Sequence, residues 1–291
     1  MSFHFAFILP TTKCDVHCEH CFYEVGHANR VEEVDYLYPL DEALDQLCRQ
    51  GLQQVIISGG EPLASPRLTE LVELCAARVM HVLLLTHGDL LDEARLAELE
   101  RAGVDDLSIS AHRVSEQLSR TIQTILFHSP YTPTLLSCLT QSNLDQVTPI
   151  QELADRFNLP VIFSPAYIPE DAPSHHKLSL HALPEAERME LFARLEIWAE
   201  GQGTIPYLQL LKGLHGGPSA HPGHCPMGNS GLVIDADGSV YPCFHRRDLC
   251  AGNLIVHPWE TIEKNLKGMG KELQGAPCFG EHCVSLFAGI R

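Results

Sequence analysis

The sequence predicts an α/β fold, a partial (β/α)6 TIM barrel followed by a small C-terminal α+β domain. Two observations carry this. From Phe5 to about Tyr167, short β-type runs alternate with amphipathic helix-type stretches, the pattern of βα units around a parallel sheet. Six such runs occur, too few to close an eight-stranded barrel, so the C-terminal strand ends face one site with an open side to be covered. At 291 residues and 45% hydrophobic content, the chain can bury a large core and still carry an appendage.

The expected strands are Ala6–Leu9, Gln54–Ser58, Val82–Thr86, Asp106–Ser110, Thr134–Leu139 and Val161–Ser164. Between them, Leu40–Gln50, Arg67–Ala77, Leu91–Ala102 and Asp145–Phe157 repeat apolar residues three or four positions apart, as amphipathic helices do. Gly51 and Gly103 stand where helix C-termini fall. The proline-containing stretch Ile168–Leu183, with His175, His176 and His181, reads as a loop over the barrel mouth. A helix over Pro184–Glu200 and a flexible linker over Gly213–Gly223 follow. Residues 1–212 are thus assigned to the barrel with its cover, and 213–291 to the small domain. In the latter, Leu232, Ile234 and Val240 flank Asp237-Gly238, a strong hairpin signal because glycine tolerates the positive φ of a tight turn.

Bulk properties narrow the function. With 37 acidic against 20 basic residues, a formal charge of -17 and no Lys/Arg cluster, the chain lacks the electrostatic footprint of a nucleic-acid binder. The N-terminus has no basic region before its apolar run, and nowhere do 18 uncharged apolar residues run together, so neither export nor a membrane span is expected. Eleven cysteines, an odd number, fit metal or redox chemistry in a reducing cytoplasm better than a closed disulfide framework.

Cys14, Cys18 and Cys21 follow the first strand as C-x3-C-x2-C, where a barrel strand delivers ligands to the catalytic face. A cubane iron–sulfur cluster normally takes four thiolates, so three leave one iron open to a substrate. The competing reading is a Cys3His zinc site completed by His17 or His20. At the end of the second strand stands Ser58-Gly59-Gly60-Glu61-Pro62. Its paired glycines let backbone polar groups approach a ligand closely, and the Glu61 carboxylate could receive an ammonium group; alone, the motif is also compatible with a simple turn before a helix.

Together these two motifs resemble those of the radical S-adenosylmethionine (SAM) superfamily, over roughly residues 5–168. The resemblance implies that Cys14, Cys18 and Cys21 bind a [4Fe-4S] cluster whose fourth iron takes the amino and carboxylate groups of SAM. Ser58, Gly59, Gly60 and Glu61 would hold the methionyl amino end. Further matches are Thr86-His87-Gly88 after the third strand, Ser108-Ile109-Ser110 at the fourth, and Leu139–Asn143 after the fifth. They place Thr86, His87, Ser108, Ser110 and Asn143 beside SAM, with Tyr23 and Phe22 flanking adenine. The alternative for these residues is helix capping and loop packing.

Downstream, Cys225, Gly238 and Cys243 form C-x12-G-x4-C, followed by Cys250, Cys278 and Cys283. This resembles the SPASM/twitch extension of the same superfamily in its shorter form, which implies a second, auxiliary [4Fe-4S] cluster on Cys225, Cys243, Cys278 and Cys283 with Cys250 spare. Zinc, with His224, His245 or His282 participating, is the competing occupant. Cys48, Cys75 and Cys138 read as core residues, and His112, His175 and His176 as the histidines placed to touch a substrate.

The resemblance implies one-electron cleavage of SAM to a 5′-deoxyadenosyl radical that abstracts hydrogen from a small-molecule or peptide substrate. An electron donor such as flavodoxin or ferredoxin would serve it, and an auxiliary cluster points to net oxidation or bond formation. Because the chain begins at its first strand, no leader-recognition domain is expected. The alternative is a non-catalytic iron–sulfur or zinc scaffold, or an electron carrier.

Overall fold

The computed structural model describes residues 3–25, 30–199 and 227–273. Six parallel strands form in chain order: β1 (Phe5–Ile8), β2 (Gln54–Ile57), β3 (His81–Thr86), β4 (Asp106–Ser110), β5 (Thr134–Leu139) and β6 (Val161–Pro165). Helices α1 (Leu37–Arg49), α2 (Leu68–Ala76), α3 (Glu93–Ala102), α4 (Glu116–His128) and α5 (Val147–Phe157) connect them. Each start has a local cause where the chain supplies a cap. Asp92 accepts from Arg95 N at 2.8 Å ahead of α3, and Ser115 accepts from Leu118 N at 3.0 Å ahead of α4, satisfying amides that the first turn leaves free. The partial (β/α)6 barrel is therefore present, each strand lying within a residue of its expected bounds.

The covering stretch is more ordered than a loop. It contains a short helix, α6 (His175–Leu178), and a 3-10 turn, Leu180–Ala182, before α7 (Glu185–Trp198). Lys177 reaches Glu19 of the cysteine loop at 2.9 Å, and Ile168 and Leu178 pack on Val25 just beyond that loop. The segment thus does lie against the cysteine loop. The expected linker, Gly213–Gly223, falls outside the described residues.

The hairpin forms as expected: β7 (Gly231–Ile234) and β8 (Ser239–Tyr241) pair antiparallel through a turn in which Gly238 has φ 80°. Its placement was not legible. β7 runs parallel to β1, Phe5 opposite Gly231 and Ile8 opposite Ile234, so one sheet continues in the order β6-β5-β4-β3-β2-β1-β7-β8-β9, with β9 at Gly252–Asn253. The strand bearing the cysteine loop is consequently interior to the sheet. The last helix among the described residues, α8 (Trp259–Leu273), adds Trp259, Ile262 and Leu266 to the core shared by the strands and the outer helices.

Strand alternation divides the sheet into two faces. Ala6, Ile8, Val55, Ile57, Leu84, Leu107, Ile109, Leu135 and Leu139 meet the helices. On the inner face Phe5, Leu9, Ile56 and Val233 form a second cluster with Phe7, Phe22, Leu83, Leu85, Tyr241 and Phe244. Ser108 and Ser110 alternate with Leu107 and Ile109, so the inner wall is apolar at β1, β2, β3 and β7 and polar at β4. Among the described residues no helix is long and apolar enough to cross a membrane.

Candidate active site

The cysteine loop is held by its own backbone. Cys21 N donates to Cys18 O at 2.9 Å, Val25 N to Cys21 O at 2.9 Å, and Lys13 N to Thr11 Oγ1 at 3.0 Å. The Gly59-Gly60 loop then docks on it directly: Gly60 N donates to Thr11 O at 2.8 Å and Glu61 N to Lys13 O at 2.7 Å. A Cβ on Gly60 would stand 2.1 Å from Lys13 O and one on Gly59, at φ 125°, 2.6 Å from Thr11 O. The sequence motif leads one to expect that the paired glycines make room for a ligand. In the structure they make room for the cysteine loop, and the amides of Gly60 and Glu61 are spent on it.

Glu61 is 1% exposed and sits beneath the loops as a hub. One oxygen accepts from Leu63 N at 2.9 Å and Thr86 Oγ1 at 2.6 Å, the other from His87 N at 3.0 Å with His87 Nε2 at 3.1 Å. Its acceptor positions are filled by the protein, so the carboxylate orients the site instead of presenting itself to an ammonium group. Thr86 is likewise committed, donating to Glu61 and accepting from Gly88 N at 2.9 Å. His87 Nδ1 accepts from Asp89 N at 3.1 Å, which places its proton on Nε2, 2.9 Å from Asp15 of the cysteine loop. His87 therefore ties three segments together: the cysteine loop, the Gly-Gly-Glu loop and the end of β3.

Asn143 also turns inward. Its Oδ1 accepts from Thr140 N at 2.8 Å and its Nδ2 donates to Cys138 O at 2.8 Å, closing a capping box rather than facing a ligand. Ser108 and Ser110 do line the inner wall, and Tyr23 is buried beyond Cys21. His175 donates from Nδ1 to the carbonyls of Ile168 and Pro169, both at 3.0 Å, and so braces the cover. Cys138, assigned to the core, instead alternates with Leu135 and Leu139 onto the inner face, where burial first, then the nearby Cys18 and Cys21, push its thiol up to about 12. His112 and His20 meet edge to face at 4.5 Å, and burial pushes them down to about 3 and about 4, leaving both rings uncharged.

A lone zinc bound by three thiolates at about 2.3 Å needs sulfurs about 4 Å apart. Among the described residues, the groups whose ligand atoms lie within 4.8 Å are Cys18 with His20 and His112, and Cys14 with Asp15 and His87; the three cysteines do not form such a group. His112 Nδ1 accepts from Cys138 N at 3.1 Å, so a metal on either nitrogen of that ring would break this bond. Wider thiols on one loop suit a cluster in which each sulfur takes its own iron. Burial, followed by the neighbouring Cys21 and Cys14, raises the Cys18 thiol to about 11, and burial raises Cys14, so ionisation awaits a cation's charge.

Of the C-terminal ligand candidates, Cys243 is described. It is buried in the inner-face cluster and accepts from His245 N at 3.4 Å, while Cys250 is exposed. Cys225, Cys278 and Cys283 lie outside the described residues. Two residues escaped the sequence reading: Asp235, at the end of β7, and Arg247, paired at 2.6 Å with side chains 2% and 9% exposed. Their twelve-residue separation follows no motif, and only the hairpin joins them.

A parallel half-barrel with three thiols at its catalytic end and a cysteine-bearing hairpin on the same sheet defines a protein built for iron–sulfur chemistry. The chain is a radical SAM protein with a C-terminal SPASM domain: residues 8–129 match the radical SAM superfamily model and 225–271 the SPASM model, described as an iron–sulfur cluster-binding domain. Over 106 residues it is 36% identical to a PqqA peptide cyclase of Gluconobacter oxydans, covering 36% of this chain but 29% of that relative. Over 289 residues it is 24% identical to an AdoMet-dependent heme synthase of Methanosarcina barkeri, covering 88% and 80%. In fold it is similar to anSMEcpe with bound AdoMet, at TM-score 0.69, 18% identity and 95% and 87% coverage.

Proposed function

We propose that this protein is a radical SAM enzyme acting on a peptide. The carrying observation is the backbone docking of the Gly59-Gly60-Glu61 loop onto Thr11 and Lys13 at the root of the cysteine loop, which holds the three-thiol segment against the end of β2. Cys14, Cys18 and Cys21 would hold the first [4Fe-4S] cluster, which when bound would supply the one electron for reductive cleavage of SAM to methionine and a 5′-deoxyadenosyl radical able to take a hydrogen atom from the substrate.

The chain's part is orientation and exclusion. Glu61 and His87 brace the three-thiol segment, the α6 cover bears on the cysteine loop, and the aromatic inner wall of Phe7, Phe22 and Phe244 keeps stray donors away. Cys243, with Cys225, Cys278 and Cys283, would hold an auxiliary cluster, a second redox group that favours net oxidation or bond formation. Peptide chemistry is supported by the PqqA peptide cyclase relative and by the fold shared with anSMEcpe bound to the Cp18Cys peptide. Flavodoxin or ferredoxin is the fitting class of electron donor.

Anaerobic reconstitution tests this. About eight irons per chain are expected, falling to about four when Cys14, Cys18 and Cys21 become Ala, since each cubane holds four. SAM and dithionite should yield 5′-deoxyadenosine with wild type and none with the triple variant. No 5′-deoxyadenosine from a chain carrying its first cluster would refute the enzyme reading and leave an iron–sulfur scaffold.

A further inference from the structure

Tyr23 and Arg247 come from the two cysteine-bearing segments, two residues past Cys21 and between Cys243 and Cys250. Each is about nine-tenths buried, and each keeps a polar atom without a partner: the Tyr23 hydroxyl and Arg247 Nη2. A buried donor left unpaired costs as much as a lost hydrogen bond, so such atoms ask for an acceptor.

The surroundings define which acceptor. Arg247 spends Nη1 on Asp235 at 2.6 Å and Nε on Phe244 O at 3.3 Å, leaving one arm of its fork. Its guanidinium lies over the rings of Tyr241 at 4.5 Å, Phe22 at 5.6 Å and Phe244 at 5.9 Å, all part of the inner-face cluster. The Phe22 and Tyr23 rings are 4.1 Å apart. The Tyr23 phenol is an O–H donor at neutral pH, and its oxygen has no hydrogen-bond partner. Because Asp235 already balances Arg247, a second carboxylate would bring an uncompensated charge into a buried place, whereas a neutral oxygen would not.

We propose that Arg247 and Tyr23 form a substrate subsite for a neutral carbonyl oxygen, the backbone amide of a peptide, with the adjoining apolar side chain resting on Phe22, Tyr241 and Phe244. It rests on the peptide reading above and adds where the peptide is gripped. Neither residue would act on the reacting atoms; both position, and Tyr23 and Phe22 would then face the substrate and not the adenine that the resemblance implied for them.

The probe is N-acetyl-L-phenylalanine methylamide, titrated into reconstituted full-length protein holding SAM, with ethylbenzene as a ring that lacks the acceptor. Saturable amide binding is expected, weakened about tenfold by Tyr23→Phe and by Arg247→Lys, each of which removes one donor. Arg247→Lys keeps a charge opposite Asp235, which Arg247→Met would strand. Ethylbenzene should bind all three proteins alike. Ligand-free Tyr23→Phe should melt no lower than wild type, because the lost hydroxyl has no partner there. Absence of amide binding, equal affinity in the variants, or a lower melting temperature of Tyr23→Phe would each overturn the subsite. None of these readouts uses SAM cleavage, so wild type that fails to form 5′-deoxyadenosine counts against the enzyme reading alone.

Discussion

Glu61→Ala separates a structural hub from a ligand contact. The carboxylate accepts from Leu63 N, Thr86 Oγ1 and His87 N at 2.6–3.0 Å and is 1% exposed. Hydrogen bonds to a charged group contribute about 1.5–3 kcal/mol each, but the donors partly re-pair once the side chain is gone, so the net cost is about 3–5 kcal/mol. At about 2–4 °C per kcal/mol, the melting temperature should fall by about 6–20 °C. Metal-free, SAM-free protein is the sample, followed by differential scanning calorimetry. Glu61→Gln should recover part of the loss, since the amide keeps one acceptor but turns an N–H toward protein donors. A melting temperature within about 1 °C of wild type, accompanied by a tenfold weaker SAM affinity, would refute this reasoning and make Glu61 the ammonium receptor that its motif first implied.

Two further outcomes follow from the same geometry. Gly60→Ala puts a Cβ 2.1 Å from Lys13 O, a backbone atom that cannot swing aside, so the two loops must part and lose the Gly60 N and Glu61 N bonds; iron retained at the first site should drop while far-UV circular dichroism is unchanged, and full iron content would contradict the docking. His112 has its folded-state pKa depressed to about 3 from 6.5. Below pH 6.5 the unfolded chain binds the proton and the folded chain does not, so stability is lost as pH falls toward 3, at up to about 1.4 kcal/mol per pH unit. Urea unfolding of metal-free protein at pH 7 and pH 5 should show His112→Phe with the shallower pH dependence; an identical slope would mean the ring titrates freely.

The barrel was legible because each βα unit announces itself locally. Asp106–Ser110 and Thr134–Leu139 are matched residue for residue, and the other four strands within one residue at either end. The α8 signal is also present in the sequence, Trp259, Ile262, Leu266 and Leu273 recurring at helical spacing, although no metal motif marks it. What could not be read was pairing across distance. Nothing in Gly231–Ile234 says that its partner is a strand more than two hundred residues earlier, or that Cys138 would face inward while Cys75 stays in the core. The candidate cofactor residues divide along the same line. Cys14, Cys18, Cys21 and the Gly-Gly-Glu run are spaced by local chemistry, whereas the roles of Glu61, Thr86 and Asn143 depend on counting acceptors and donors that only the folded backbone brings near.

The parallel pairing of β7 with β1 makes the C-terminal segment part of the cysteine loop's support. β1 delivers the cysteine loop, and one of its two edges is satisfied by β7, with His4 N donating to Ser230 O at 2.7 Å and Leu9 N to Ile234 O at 2.9 Å around the ladder itself. Removing that strand would bare a row of unpaired backbone groups and uncover Phe5 and Leu9, an edge that invites association with other chains. A detachable auxiliary module predicts the opposite. A chain ending at residue 226 should therefore aggregate or lose iron at Cys14, Cys18 and Cys21, although those residues are intact. Cys243→Ala, which keeps β7 and β8, should elute as wild type does and retain the first site's about four irons. Gel filtration with iron analysis decides between them: a 1–226 chain that does not aggregate and holds about four irons would show that β1 needs no partner on that side.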